Sequence, residues 1–134
     1  MSRLSDIEGI GEVFEQKLLA TGIKTISQLL EYCQQKNARV ALAAQTGISE
    51  KLILSWVNKA DLCRIKGVST QYADLLEHAG VDSVAELAQR RADNLTASLA
   101  ELNQQKNLVK QVPGLSLVEG WILQAKTLPA LVTH

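Results

Sequence analysis

The chain has 134 residues, of which 46% are hydrophobic, enough for a packed core in one medium domain or two small ones. Fourteen basic residues balance fourteen acidic ones: residues 1–60 carry seven basic and six acidic side chains, and residues 61–134 carry seven and eight. This balance excludes a chain that binds nucleic acid through bulk charge alone. No apolar run approaches the roughly 20 residues of a membrane span, and the charged first residues do not resemble a signal peptide, so we expect a cytoplasmic protein.

The first predicted elements are a short apolar turn and an amphipathic helix. Ile7, Ile10, Phe14 and Leu18 recur at helical spacing. Gly22 follows the last of them, at a position where a left-handed helix cap suits glycine. The pattern therefore predicts a helix that ends just before Gly22.

Three more helices are predicted in the first 60 residues. Thr25 and Gln28 fit a capping box, which predicts a helix from residue 26 to about residue 35. Asn37 is expected to cap a helix that reaches about residue 45, and Ser49 to cap one that runs from residue 50 to about residue 60.

The second half predicts the same order of elements with a longer middle. Ser83 is expected to cap a short helix, and Asp93 or Asn94 to open a helix through about residue 105. Ser116 fits another capping box and predicts a last helix to about residue 126. Because no stretch alternates between apolar and polar residues as a strand does, the predicted fold class is all-α.

Residues 4–31 align with residues 62–89 without gaps, at a constant offset of 58 positions. Six pairs are identical: Leu4 and Leu62, Ile7 and Ile65, Gly9 and Gly67, Leu18 and Leu76, Gly22 and Gly80, Leu29 and Leu87. The preserved positions are glycines and apolar residues, which is typical of a duplicated fold. We therefore predict two similar helical units, residues 1–60 and 61–134, joined rigidly because residues 58–61 lack the composition of a flexible linker.

The segment Ile7-x-Gly9-Ile10-Gly11, followed by a helix, resembles the helix-hairpin-helix motif, and Gly47-Ile48-Ser49 resembles a second, weaker hairpin. The resemblance implies that each half is a paired helix-hairpin-helix domain, similar to the N-terminal domain of archaeal recombinases and the C-terminal domain of the bacterial RNA polymerase alpha subunit. The whole chain also resembles a bacterial family of unknown function that contains two such units in tandem.

Members of this motif that bind DNA use backbone N–H groups at the hairpin to contact phosphates, usually beside Lys or Arg. Glycine permits the close approach, and the dipole of the following helix favours an anion. The resemblance implies nucleic-acid contacts at ten positions. These candidate residues are Gly9, Ile10, Gly11, Gly47, Arg64, Lys66, Gly67, Val68, Ser69 and Gly114.

The hairpin turns differ in charge. The first hairpin turn, residues 7–11, keeps both glycines of the motif. It is flanked by Glu8, Glu12 and Glu15, which repel phosphate.

The third hairpin turn, residues 65–69, has the opposite combination. Arg64 and Lys66 attract phosphate, but Ser69 replaces the second glycine. Serine suits a helix N-cap, and its side chain is expected to hinder close backbone approach. If the protein binds nucleic acid, we expect the third hairpin turn to make the main contacts with phosphate.

Several residues have plainer interpretations than a binding site. The hairpin glycines are needed for the turns whatever the protein binds, and His78 has no second ligand at metal spacing. Cys33 and Cys63 lack a C-x-x-C motif and are interpreted as two reduced thiols rather than a disulfide. The predicted core residues are Phe14, Leu18, Leu29, Trp56, Tyr72, Leu76, Leu87 and Trp121.

Two classes of function follow from the sequence. The resemblance to the helix-hairpin-helix motif, for which a mechanism of phosphate binding is known, favours a non-catalytic module that contacts DNA or RNA phosphates with little sequence specificity. Charge neutrality and the acidic first hairpin turn favour a protein-interaction adaptor, which is the alternative. No catalytic motif, cofactor fingerprint or metal-binding pattern is present, so neither an enzyme nor a cofactor is predicted.

Overall fold

Eight α-helices and a short 3₁₀ helix, Leu4–Asp6, form the part of the chain that the computed structural model describes, residues 3–134. That part contains no β-strand, only an isolated bridge between Arg3 and Thr25. The prediction of an all-α protein is confirmed. In chain order the helices are α1 (Glu12–Ala20), α2 (Ile26–Tyr32), α3 (Lys36–Thr46), α4 (Glu50–Leu62), α5 (Thr70–His78), α6 (Val84–Ala88), α7 (Ala92–Lys106) and α8 (Leu115–Thr127).

Hydroxyl side chains cap four of the helices. Thr25 accepts a hydrogen bond from the amide of Gln28 at 3.1 Å, and Ser83 and Ser49 cap α6 and α4 in the same way. Each bond satisfies one of the N–H groups that a helix start leaves free. The predicted caps at these three residues are confirmed, and Ser69 caps α5 likewise, with the amide of Tyr72 at 3.2 Å.

Three predicted helix starts are wrong by a few residues. α3 begins at Lys36 rather than after Asn37, whose Oδ1 accepts from the adjacent amide of Ala38 at 2.9 Å inside the first turn. α7 begins at residue 92, before the predicted Asp93 or Asn94, since the preceding residue already has the extended backbone of an N-cap. α8 begins at Leu115, because Gly114 occupies the N-cap with φ −82° and ψ 171°. Ser116 therefore lies within the helix.

Two short helices also end early. α2 ends at Tyr32 instead of reaching about residue 35, and α6 ends at Ala88 instead of about residue 90. The residue after α2, Cys33, has φ −118° and ψ 25°, which is outside helical geometry. The chain needs this bend to turn from α2 into α3.

The buried apolar side chains form two separate clusters. The first draws its buried residues from between Leu4 and Ala60, and the second from between Leu62 and Ala125. α4 contributes to both, since Trp56 belongs to the first cluster and Leu62 to the second. The helix is continuous between them, so no flexible segment separates the two clusters.

Six of the eight predicted core residues are no more than 1% exposed. The exceptions are Phe14 and Tyr72, which are half-buried. Each lies beside a buried tryptophan with ring centroids just over 5 Å apart: 5.2 Å for Phe14 and Trp56, and 5.3 Å for Tyr72 and Trp121. These two aromatic rings therefore cover the indoles at the edge of the core instead of filling its centre.

Candidate binding surface at the hairpin turns

The first hairpin turn depends on a left-handed glycine packed against an indole ring. Gly9 has φ +98°, and the amide of Ile10 donates to the carbonyl of Ile7 at 3.1 Å. A Cβ on Gly9 would lie 3.2 Å from Nε1 of Trp56. Glycine is required here for its backbone conformation and for the space, independently of any ligand.

The third hairpin turn has the same local geometry. Gly67 has φ +94°, the amide of Val68 donates to Ile65 at 3.1 Å, and a Cβ on Gly67 would lie 3.2 Å from Nε1 of Trp121. The two turns are thus built alike, each around one glycine and one tryptophan.

The helix starts after these two turns differ in how their N–H groups are used. Gly11 is the N-cap of α1 and supplies no side-chain cap, whereas the hydroxyl of Ser69 accepts from the amide of Tyr72. Both residues are exposed. The turn with more open N–H groups is therefore the acidic one, in which Glu8 and Glu12 are also exposed.

Arg64, the first of the two predicted phosphate-binding cations, is held by the protein itself. Its Nη1 donates to Oδ1 of Asp61 at 2.8 Å, and its Nη2 donates to the carbonyl of Pro129 at 2.9 Å. The Asp61 side chain is only 1% exposed, so this ion pair is shielded from solvent on one side. Arg64 is not a free cation beside the third hairpin turn.

Lys66 is exposed, but its backbone is occupied. The side-chain amide of Gln124 brackets it: Oε1 accepts from the Lys66 amide at 3.0 Å, and Nε2 donates to the Lys66 carbonyl at 3.1 Å. The third hairpin turn therefore offers an anion the side chain of Lys66 but not its N–H group.

A buried lysine joins the first hairpin turn to α5. Nζ of Lys59 donates to the carbonyl of Glu8 at 3.0 Å and lies 3.0 Å from Oδ1 of Asp74 and 3.8 Å from Oε1 of Glu77. The side chains of Lys59 and Asp74 are 7% and 8% exposed. Sequence reasoning missed both residues, because nothing in the local pattern shows that they meet.

The two remaining turns lie at the starts of α4 and α8. Gly47 has φ +76° and ends α3, and Gly114 is the N-cap of α8. Both glycines are exposed, and neither would bring a Cβ within 4 Å of other atoms. Neither turn therefore has the glycine–tryptophan contact of the first and third turns.

Beside Gly114 lies a groove between the start of α7 and the exposed face of α8, with a volume of about 550 Å³. We call it the α7–α8 groove. Leu115 and Leu123, which are 47% and 65% exposed, line it together with Ile122. The lining also includes five charged side chains: Arg90, Arg91, Asp93, Glu119 and Lys126. The groove therefore combines two exposed leucines with charges of both signs.

The two cysteines are free thiols, as interpreted from the sequence. Burial raises the pKa of the Cys33 thiol, partly offset by the nearby Arg39 charge, and burial raises the pKa of Cys63 to about 11. Both thiols are therefore protonated at neutral pH, which suits structural rather than reactive cysteines.

Within residues 3–134, no three His, Cys, Asp or Glu side chains are grouped so that they could hold a metal ion. In the same part of the chain, no helix combines the length and the apolar character that crossing a membrane requires.

Residues 8–128 match the model of a protein family described as a domain of unknown function, DUF4332. No curated protein and no solved structure matches the chain.

Proposed function

The chain belongs to this family of unknown function, and we propose from its geometry that it is a non-catalytic adaptor that binds another protein through the α7–α8 groove. The observation that carries this proposal is the pair of leucines in the groove, Leu115 and Leu123, which expose 47% and 65% of their surface. Association with a protein that presents apolar side chains would bury this area, and burial of apolar surface drives most protein association. Cytoplasmic location is part of the proposal and is supported by the two free thiols.

We also propose that the chain is a tandem of paired helix-hairpin-helix units, residues 1–60 and 61–134. The matched contacts of Gly9 with Trp56 and of Gly67 with Trp121 support this arrangement. The division of the buried apolar side chains between two clusters supports the boundary. In this architecture the turns set the helix positions, and the helix faces between them supply the binding surface.

Affinity capture with matched variants tests the adaptor function. The purified chain, the double variant Leu115→Asp with Leu123→Asp, and the control Val40→Asp are immobilised and exposed to a lysate of the source cells. Val40 is 49% exposed and lies on α3, so its replacement places one aspartate on an exposed apolar position away from the groove. We expect the unmodified chain and the control to retain the same proteins and the double variant to lose them. Equal retention by all three chains would contradict a role for the groove.

Contact with nucleic-acid phosphates is the second candidate, and the exposed Lys66 beside the left-handed Gly67 supports it. It ranks second because Arg64, on which the sequence hypothesis also relied, donates to Asp61 and Pro129 instead. With one or two phosphates neutralised, the log–log slope of affinity against salt would be only about −1 to −2.

Titration of labelled single- and double-stranded DNA and RNA at about 50 mM salt tests this candidate. Lys66→Glu is the informative variant and Lys24→Glu, an exposed lysine of the first half, is the control. The double replacement of Arg64 and Lys66 is less informative, because loss of Arg64 would also break its bonds to Asp61 and Pro129. Binding that Lys66→Glu alone removes would favour nucleic acid over protein as the partner.

A further inference from the structure

The last residues of the chain return from α8 to the first core. Leu131 and Val132 pack against the apolar cluster built from α1–α4. The amide of Thr133 donates to the carbonyl of Gln34 at 2.9 Å, and the ring of His134 lies 3.2 Å from Oδ1 of Asn58. We call residues 128–134 the closing segment. It has no regular secondary structure, and almost all of it lies beyond the part of the chain that matches the family model.

A buried arginine receives the closing segment. Arg39, on α3, is 0% exposed, and its Nη1 donates to the carbonyls of Cys33 at 3.0 Å and of Gln34 at 2.8 Å. Its Nη2 donates to the carbonyl of Thr133. A buried guanidinium needs acceptors, and here the bend between α2 and α3 supplies two and the closing segment a third.

The polar contacts that hold the segment go largely to its main chain. Besides the bonds at Thr133, Nη2 of Arg64 donates to the carbonyl of Pro129 at 2.9 Å. Main-chain bonds do not depend on side-chain identity, so the apolar side chains that the surface selects are Leu131 and Val132. The polar side-chain contacts of the segment come from its last two residues, Thr133 and His134. Recognition of an extended segment by main-chain bonds with a few side-chain pockets is a recurrent mode of peptide binding.

The segment does not fill the groove in which it lies. A cavity of about 460 Å³ remains between α2, α4 and the segment, and Leu131 forms one wall of it. Ile26, Leu30 and Ala60 are among its apolar lining residues, and the polar ones are Ser27, Glu31, Gln34 and Arg64. Apolar and polar side chains beside the segment thus remain uncovered by it.

We propose that this surface, formed by α2, α3 and α4, is an acceptor groove for an extended peptide with two adjacent apolar residues, and that the closing segment occupies it as an internal competitor. The inference goes beyond the adaptor function above, because it concerns another surface and another kind of partner. When the closing segment leaves the groove, Nη2 of Arg64 loses the carbonyl of Pro129 as its acceptor.

A binding experiment in the full-length chain tests the proposal. The probe is a fluorescein-labelled peptide with the sequence of residues 127–134. The test variant is Leu131→Ser with Val132→Ser, which weakens the internal competitor without deleting it. A tethered segment competes at an effective concentration of about millimolar. We therefore expect the variant to bind the peptide at least about tenfold more tightly than the unmodified chain, measured by fluorescence anisotropy.

Two controls complete the experiment. Ala130→Ser changes an exposed residue of the segment and should leave binding as in the unmodified chain. A peptide with serine in place of both apolar residues should not bind. Equal affinity of the test variant and the unmodified chain, or no binding to a test variant that circular dichroism shows to be folded, would overturn the proposal.

If the double variant does not fold, Leu131→Ala replaces it. Failure of both chains to fold would also overturn the proposal, since a segment that the fold cannot lose is not a displaceable occupant. The results of the lysate capture do not bear on this outcome, because the α7–α8 groove shares no residue with the acceptor groove.

Discussion

Two glycines, Gly9 and Gly67, hold a turn backbone against an indole ring at a distance that no side chain would allow without adjustment. Their φ values of +98° and +94° lie in the region that other residues adopt only with strain. Each glycine packs against its own tryptophan, although the two tryptophans are 65 positions apart and the two glycines 58. At the residue scale, these glycines are therefore needed for the conformation of the turns themselves.

Replacement of Gly67 by alanine tests that role. Left-handed backbone strain and a Cβ 3.2 Å from Nε1 of Trp121 should lower the free energy of unfolding by about 1–3 kcal/mol in urea denaturation. Gly120→Ala is the matched control: Gly120 lies inside α8 with no atom within 4 Å of its added Cβ, so the same substitution should stabilise by about 0.5–1 kcal/mol. An unchanged stability of Gly67→Ala would show that the turn does not need glycine.

The cysteines allow a second test at the level of single residues. Because burial raises the pKa of Cys63 from 9.0 to about 11, the thiolate fraction at pH 8 falls about a hundredfold relative to an unfolded chain. Since the thiolate is the reactive form, native Cys63 should react with iodoacetamide far more slowly than the unfolded chain, and its rate should rise as the pH approaches 11. Equal rates in the native and unfolded chains at pH 8 would contradict this environment.

At the scale of the elements, the helices are set by caps and apolar spacing. The hydroxyl caps of α2, α4 and α6 act over three residues, and the sequence displays them directly. Leu18 on α1 and Leu76 on α5 are matched in the alignment of residues 4–31 with residues 62–89, and both are 0% exposed. Leu18 belongs to the first apolar cluster and Leu76 to the second.

Truncation of these leucines measures that attachment. Leu18→Ala and Leu76→Ala should each lower the free energy of unfolding by about 2–5 kcal/mol, as large-to-small changes in a packed core do. The control Val13→Ala, on the exposed face of α1 at 69% exposure, should change it little. Thermal and urea denaturation measure these changes. A similar loss of unfolding free energy in all three variants would contradict the assignment of the core.

Two of the helix starts that sequence reasoning placed wrongly share one physical cause. Asn37 and Ser116 have side chains suited to caps, but the backbone had already entered the helix one or more residues earlier, at Lys36 and Leu115. A capping preference decides between nearby positions only when the backbone can be extended there. Sequence patterns therefore predicted which helices exist better than where three of them begin.

At the scale of the whole molecule, long-range polar contacts determine which charged side chains are free to bind a ligand. Arg64 donates to Pro129, 65 positions further along the chain, so the cation that the sequence predicted for phosphate binding is engaged within the protein. Lys59 meets Asp74 between α4 and α5. No periodicity, cap or motif encodes such meetings. Local sequence signals were enough to predict the fold class. They could not show which basic side chains are left without an internal partner.

The Lys59–Asp74 pair links the first hairpin turn to the second half of the chain, and it should be costly to break on one side. Lys59→Met leaves the buried carboxylate of Asp74 without its nearest cation, so we expect a loss of about 3–5 kcal/mol in the free energy of unfolding. The double change with Asp74→Leu should recover most of this loss. As a control, Arg91→Met breaks an exposed pair with Asp93 and should have no measurable effect. A loss of the same size in both single variants would contradict a special role for the buried pair.

Site-specific crosslinking tests most directly whether the α7–α8 groove is a protein-binding surface. A photoreactive phenylalanine analogue is placed at position 123 in the groove or at position 40 on α3, both of which are exposed, and irradiated in the source cells. The adaptor function predicts discrete adducts with protein from position 123, resistant to nucleases and absent from position 40. Nuclease-sensitive adducts alone, the same adducts from both positions, or no protein adduct from position 123 would contradict it.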